Sequence, residues 1–522
     1  MKKLKALIVT LFFCATNLLA QNISYEAIVI KIPLANTSIT SPEEVSIEFP
    51  VCKYDKKFAF SFTGDDALLG IYQRAFNYAY GHYVDNDPIF HEAGEKRTTG
   101  ITPTRQLTYT DGCGKNILFR FSTNWQASKD GRNVHKDGNI TTPQIWWSEC
   151  ERFTDFYNGI LNHGGAYDET DAVASINKTL YGVADTIGIY PYVLGVPGAT
   201  SGFPEAGKQN DDIYFMESGT FYDMGSYVSL NKVNSTNLYK GHFPRVDVDK
   251  KSITDMMTLI KSHSSNFQWI NVFCHDIKNA TSSVNSQLNS DVCFAMLDSI
   301  YDKYGKNGFD NVWFGTTPEI YEYLFTRIYS SVEKKIVDNQ LVLTINAAVL
   351  PHFYYKDITL KLKRNLGISM KNLSFSSNVT KESYQEKGDS VLINLCFSDF
   401  PNRMAEKYTS KLESNITIEN KNDASFFVDM LEPTLQKKYS SRIDAALSKG
   451  SSLTKTSETA TKLEFFIMKG KLKIIGEIET PIPVYSLEGV LLKVIPKSEE
   501  NVHEITLNAG TYLIDGHKII VL

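Results

Sequence analysis

Between residues 57 and 328, short apolar runs alternate with stretches in which apolar residues recur every three or four positions. The runs 58–62, 116–123, 156–162, 190–196, 212–216, 269–274 and 311–315 predict strands. The stretches 67–80, 144–153, 170–181, 253–262 and 291–304 predict helices. In the first of these, Leu68, Tyr72, Phe76 and Ala79 fall on one stripe, and in the last Val292, Met296, Ile300 and Tyr304 do. Thr317-Pro318-Glu319 predicts a further helix start, with a cap, a proline in the first turn and an acid near the N-terminus. Such alternation predicts an α/β fold, built on a parallel sheet or a (β/α) barrel. Residues 85–114, rich in Gly, Thr, Asp and Pro, read as loop.

Outside that region the period changes to two. Residues 23–32 predict a strand leading into the α/β domain, and 341–345, 358–362 and 391–395 predict the strands of a modest β-sandwich. Residues 426–447 have a helical pattern, 448–462 are a Ser-, Thr- and Lys-rich linker, and 463–522 are again β-rich. At the other end, Lys2, Lys3 and Lys5 precede the apolar stretch 6–15, and Leu18-Leu19-Ala20 offers a cleavage site before Gln21. The predicted organisation is a signal peptide at 1–20, an α/β domain at 21–330, a β-rich domain ending in a helix at 331–447, the linker, and a small C-terminal β domain at 463–522. The leader implies an exported protein. Its apolar run is too short for a membrane span, and no later stretch resembles one.

Composition narrows the partners. With 42% hydrophobic and 22% charged residues in 522, the chain is a folded multidomain protein. The formal net charge of −5 becomes −8 without the three leader lysines, so nothing favours nucleic acid or an anionic membrane. Of seven cysteines, Cys14 lies in the leader; the other six are widely spaced with no Cys-x-x-Cys, and no bridge or zinc ribbon is assigned. Trp125, Trp146, Trp147 and Trp269 are candidates for stacking on sugar rings, although core packing is the commoner role.

Three predicted strands end in chemistry. The first runs into Asp65 and Asp66, in the position where α/β folds bind ligands. A helix cap accounts for one acid. Two adjacent carboxylates repel unless a cation or a shared proton relieves them. His163 ends another strand and is followed by Gly164 and Gly165, which allow a close backbone approach, although a lone histidine is more often a structural hydrogen-bonder. Asp168 stands just before a predicted helix and can cap it. His275 ends a third strand, with Asp276 next to it to orient it or balance its charge.

Together these residues resemble the NodB-type polysaccharide deacetylases, carbohydrate esterase family four. Thr63-Gly64-Asp65-Asp66-Ala67 is similar to that family's Thr-Phe-Asp-Asp strand end, and Asn162-His163 to its Asn-His. Pro197-Gly198-Ala199 is similar to its proline turn, and Phe273-Cys274-His275-Asp276 to its Leu-His-Asp, all in the family's order. The resemblance implies a distorted (β/α) barrel holding one divalent metal, usually zinc. It implies Asp66 and His163 as ligands, Asp65 as general base, and His275 as the acid that protonates the departing amine or alkoxide, tuned by Asp276. Two positions depart from the pattern. Tyr167 stands where the family has its second histidine, which leaves neighbouring Asp168 as candidate third ligand. The family's arginine before the proline turn is replaced by Gly195-Val196, and Arg245 is the candidate to orient the base, with Pro197 on the substrate side.

The implied protein is secreted or on the surface of a bacterium. It removes N- or O-acetyl groups from an acetylated polysaccharide or peptidoglycan-like glycan. The alternative is a catalytically impaired relative that binds glycan. Residues 484–522 also resemble the sorting tails of type IX secretion cargo, which implies the secretion machinery as a partner; an ordinary terminal β domain is the other reading. His163-Gly164-Gly165-Ala166 is similar to an esterase oxyanion turn, but the chain has no Gly-x-Ser-x-Gly elbow, which excludes that class.

Overall fold

A computed structural model describes residues 23–35, 39–81, 105–126, 135–137, 144–164, 171–198, 202–219, 227–278, 287–363 and 368–453, followed by most of the strands to residue 521. Residues 1–20, expected as a leader, and Tyr167 and Asp168 lie outside the described residues. The chain forms two compact units that divide between Phe400 and Pro401, whereas the sequence placed a boundary at 330.

The first unit contains a parallel sheet that closes on itself. Strands β1 (Phe58–Gly64), β2 (Ser122–Trp125), β3 (Gly159–Asn162), β4 (Val193–Gly195), β5 (Phe215–Ser218) and β6 (His242–Pro244) lie side by side in that order. One residue after β6, β7 (Val246–Asp247) pairs with β8 (Gln268–Cys274), and β8 pairs with β1. Residues 242–247 thus join both ends of the sheet, and Arg245 sits at the seam. Every pairing around this ring is parallel. β9 (Val312–Phe314) adds to the N-terminal half of β1. All seven residues of β1 are buried, as expected of a strand flanked by strands and covered on its outer face.

The helices fall where the apolar periodicity placed them, at Trp147–Asp155, Ala172–Ile187, Ile253–His263, Ser290–Lys303 and Thr317–Tyr329. Three local readings change. The strand expected at 116–123 is two strands: Asn116–Leu118 pairs with Thr108–Thr110, and β2 joins the barrel. The chain turns between them where Phe119 and Phe121 both pack on Phe314. The helix after β1 widens to π-helical pitch over Ile71–Phe76, and all six of those residues are buried, so no one-sided stripe survives there. The last helix is capped by Thr316, not Thr317. Glu319 instead makes buried ion pairs with Lys53 (2.7 Å) and Arg120 (2.8 Å).

The strand Ser24–Pro33 runs antiparallel to Gln340–Val349 along its whole length, and Ile47–Glu48 pairs with Asp357–Lys363. Each of two four-stranded antiparallel sheets therefore takes one strand from before β1 and the rest from after residue 330. In the second unit the helical stretch expected at 426–447 is two helices, Ile418–Val428 and Pro433–Leu453, separated near Pro433. Short antiparallel strands follow, including Ile482–Ser486 and Gly510–Ile514, which pair with each other. No described helix is long and apolar enough to cross a membrane.

Candidate active site

Register brings the strand ends together. Cys274 on β8 pairs with Gly64 on β1, so His275 and Asp65 leave neighbouring strands at the same level. β2 links β1 to β3: Gly64 pairs with Thr123, and Trp125 with Asn162, so His163 follows two residues beyond the level of Asp65.

The chain leaves β1 through two left-handed residues, Asp66 (φ 60°) and Ala67 (φ 49°). Asp tolerates that region, whereas a β-carbon generally disfavours it, so the turn is a strained one that sends the two carboxylates apart. Asp65 turns inward and is buried. Its two oxygens accept from Arg245 Nη1 (2.6 Å) and Nη2 (2.9 Å), and Asn124 Nδ2 donates at 2.5 Å. Burial alone would raise the Asp65 carboxyl; the Arg245 charge and these hydrogen bonds outweigh it and hold the carboxyl below its ordinary value. Asp66 is partly exposed and accepts from Gln126 Nε2 at 2.6 Å. The two acids thus bond to Arg245, Asn124 and Gln126. The N–H of Gly70 near the start of the helix is taken by Asp276 (3.2 Å).

His163 is buried, and its Nδ1 lies 2.6 Å from the Gly195 carbonyl oxygen. A carbonyl can only accept, so Nδ1 carries the proton and Nε2 of the neutral ring keeps its lone pair. That nitrogen lies 3.5 Å from Asp66 Oδ1. A tetrahedral ion with bonds of ~2.1 Å holds neighbouring donors about 3.4 Å apart, so this pair has the chemistry and spacing of two ligands of one cation. Among the described residues no group of three His, Cys, Asp or Glu side chains is placed to hold a metal. Asp168, expected as a ligand, lies outside them.

His275 is oriented by Asp249 rather than by Asp276. Its Nδ1 lies 2.6 Å from Asp249 Oδ2, and its backbone N–H donates to Oδ1 of the same residue. That hydrogen bond, against partial burial and with the Asp65, Asp249 and Asp66 charges, pushes the imidazole up to about 9. Asp276 instead is buried, bonds the N–H groups of Gly70 and Ile277, and pairs with Lys278 (3.4 Å). A residue adjacent on a strand points to the opposite face, which is why sequence neighbourhood misled.

Arg245 reaches Asp65, and its guanidinium carbon also lies 3.8 Å from the Phe273 ring centroid. Pro197 is buried directly after Val196, whose carbonyl accepts from Arg245 Nη2 at 3.5 Å. Gly195 stands where the resemblance put an arginine. A β-carbon there would meet the Asn124 amide at 2.1 Å, so only glycine lets Asn124 reach Asp65. Trp125 and Trp269 are buried. Trp125 stacks on His135 at 4.0 Å, which makes it part of the core.

Sequence reading missed Asn124, Gln126, Glu217 and Asp249. Asn124 and Gln126 flank Trp125 at a strand end that the apolar pattern stopped two residues short of. Asp249 ends the alternation Arg245-Val246-Asp247-Val248-Asp249, a polar strand end of the same kind as the others.

Residues 250–443 match the family model described as "Putative polysaccharide deacetylase". That segment includes His275 and begins after Asp65, Asp66, His163 and Arg245. A solved structure, the Xyl-CE4 domain of a multidomain xylanase from the hindgut metagenome of Trinervitermes trinervoides, is similar with 10% identity and a TM-score of 0.27, over 51% of this chain and 90% of that one. No curated protein matches by sequence.

Proposed function

We propose that the chain is a secreted, metal-dependent carbohydrate deacetylase that hydrolyses N- or O-acetyl groups on a polysaccharide or peptidoglycan-like glycan. One observation carries the reading: a carboxylate held ionised, Asp65, and an imidazole held protonated, His275, leave adjacent strands at one level, beside the Asp66–His163 pair. Groups whose environments push them to opposite protonation states divide the work of base and acid. The family match over residues 250–443 supports the same class.

Hydrolysis of an acetyl group needs a proton taken from water and a proton given to the leaving nitrogen or oxygen. Asp65 takes the first, with Arg245 and Asn124 fixing its carboxylate. His275 gives the second from Nε2, because Nδ1 is committed to Asp249. Asp66 and His163 would hold a divalent metal; mixed carboxylate and imidazole donors suit zinc. Asp168 is the proposed third ligand. A metal bound there would supply Lewis acidity toward the acetyl carbonyl and would acidify water.

The test is acetate release from acetylated xylan, chitin oligomers and peptidoglycan by the wild type and by Asp65→Asn. Release that Asp65→Asn abolishes supports the enzyme. Glycan binding without release by the wild type identifies the impaired, glycan-binding alternative.

A further inference from the structure

Arg245 faces two buried carboxylates. Its fork grips Asp65, and Glu217 Oε1 on β5 lies 3.8 Å from Nη1. Glu217 is fully buried. Its Oε2 accepts from Asn271 Nδ2 (2.8 Å) and Thr317 Oγ1 (3.1 Å). Asn271 is itself held, since its Oδ1 accepts from Ser61 Oγ (2.8 Å), which accepts from Trp269 Nε1. Glu217 Oε1 accepts no hydrogen bond among the described residues.

This arrangement separates what a glutamate is needed for from what it is not. The bonds from Asn271 and Thr317 ask only for a carbonyl oxygen, which glutamine would provide. Burying a carboxylate is costly unless its charge is used. The cation the structure places beside that charge is Arg245, whose guanidinium would otherwise be held by Asp65, the Val196 carbonyl and the Phe273 ring alone. Without Glu217 the Asp65–Arg245 pair would be tethered only by Asn124, the Val196 carbonyl and the Phe273 ring, and Asp65 could lose its orientation while keeping its partner.

We propose that Glu217 is a positioning residue for Asp65, drawing the Arg245 guanidinium to β5 across the barrel seam so that the fork presents the base in one orientation. The catalytic part of this role rests on the reading of Asp65 as the base. The hold on Arg245 does not.

The test uses the full chain and Glu217→Gln, with Glu217→Asp as the charge-keeping control. We expect kcat to fall about tenfold or more with KM within about twofold, with part of the loss recovered by Glu217→Asp. In protein carrying 15N-arginine, the Arg245 Nη–H signals, assigned with Arg245→Lys, should be separate in the wild type because rotation is hindered, and should merge in Glu217→Gln. Unchanged kcat, or unchanged Arg245 signals, overturns the proposal. If the wild type releases no acetate from any substrate, the deacetylase reading fails by itself. The Arg245 signals then decide the structural part: merging upholds the Glu217–Arg245 hold and persistence rejects it.

Discussion

Both terminal nitrogens of Arg245 are spent on the two oxygens of Asp65, at 2.6 and 2.9 Å. The fork fixes the plane of the carboxylate, which a lysine ammonium, a point charge, cannot do. Arg245→Lys should therefore fold and lose on the order of a hundredfold in acetate release, as expected when a base is misplaced. Arg245→Met should cost stability as well. It leaves Asp65 and Glu217 buried without their cation, a change worth about 3–5 kcal/mol, measurable by denaturant unfolding.

If His275 is the proton donor, the Asp249–His275 bond should set the alkaline limit of the rate. His275 is pushed up to about 9, chiefly by that hydrogen bond, from an ordinary value of 6.5. A group raised in the folded state contributes stability that is fully present below about 6.5 and is lost as pH rises to about 9. As the proton donor it must be charged, so the rate should fall above about pH 9 in the wild type. In Asp249→Asn the alkaline limb should move down toward the ordinary imidazole value. In Asp276→Asn it should stay, because Asp276 bonds Gly70 and Ile277 instead. A kcat profile from pH 5 to about 10 checks both; an unmoved limb in Asp249→Asn removes His275 as the acid.

Metal content separates the two carboxylates. If Asp66 and His163 hold a divalent ion, wild-type protein should carry about one zinc per chain, and Asp66→Asn or His163→Ala should lose it. Asp65→Asn should keep the metal and lose the activity, since Arg245 and Asn124 rather than a cation occupy that carboxylate. Elemental analysis of the four proteins gives the answer, and equal metal in all of them would exclude the Asp66–His163 site.

The parts of this site that were legible in the sequence are those set by strand ends. Apolar runs mark strands because a parallel barrel strand is buried on both faces, and the residue after the run then stands at the ligand-binding rim. Asp65, Asp66, His163 and His275 were found in that way. Asp249 and Glu217 were not, because their partners lie on other strands: Asp249 meets His275 from 26 residues upstream, and Glu217 meets Arg245 because β5 and β6 lie side by side with Glu217 opposite Phe243. Barrel closure is a pairing between chain segments and leaves no local pattern. The N-terminal strand shows the same gap, since nothing in residues 23–32 reveals a partner more than 300 positions away.

Glu322 makes that kind of long-range contact measurable. Its Oε1 accepts from the Tyr192 hydroxyl (2.5 Å) and the Tyr354 N–H (2.6 Å), and its Oε2 from the N–H groups of Tyr355 (2.8 Å) and Lys356 (3.1 Å). Four donors on two oxygens tie the helix after β9 to the chain that enters the strand Asp357–Lys363. Glutamine has the same shape but one acceptor oxygen, and its amide would face two donors. Glu322→Gln should thus destabilise the first unit by about 2–4 kcal/mol, the cost of two buried donors left without acceptors. Burial, opposed by these hydrogen bonds, pushes the Glu322 carboxyl up to about 7. The folded state then holds this proton more tightly than the unfolded chain does, so the stabilising contribution is present below about pH 4.5 and is lost as pH rises to about 7. Denaturant unfolding at pH 5 and 8 should show a smaller difference between the two pH values in Glu322→Gln than in the wild type. An equal difference would mean that the carboxyl does not titrate in this range and is ionised throughout, as its four donors alone would favour.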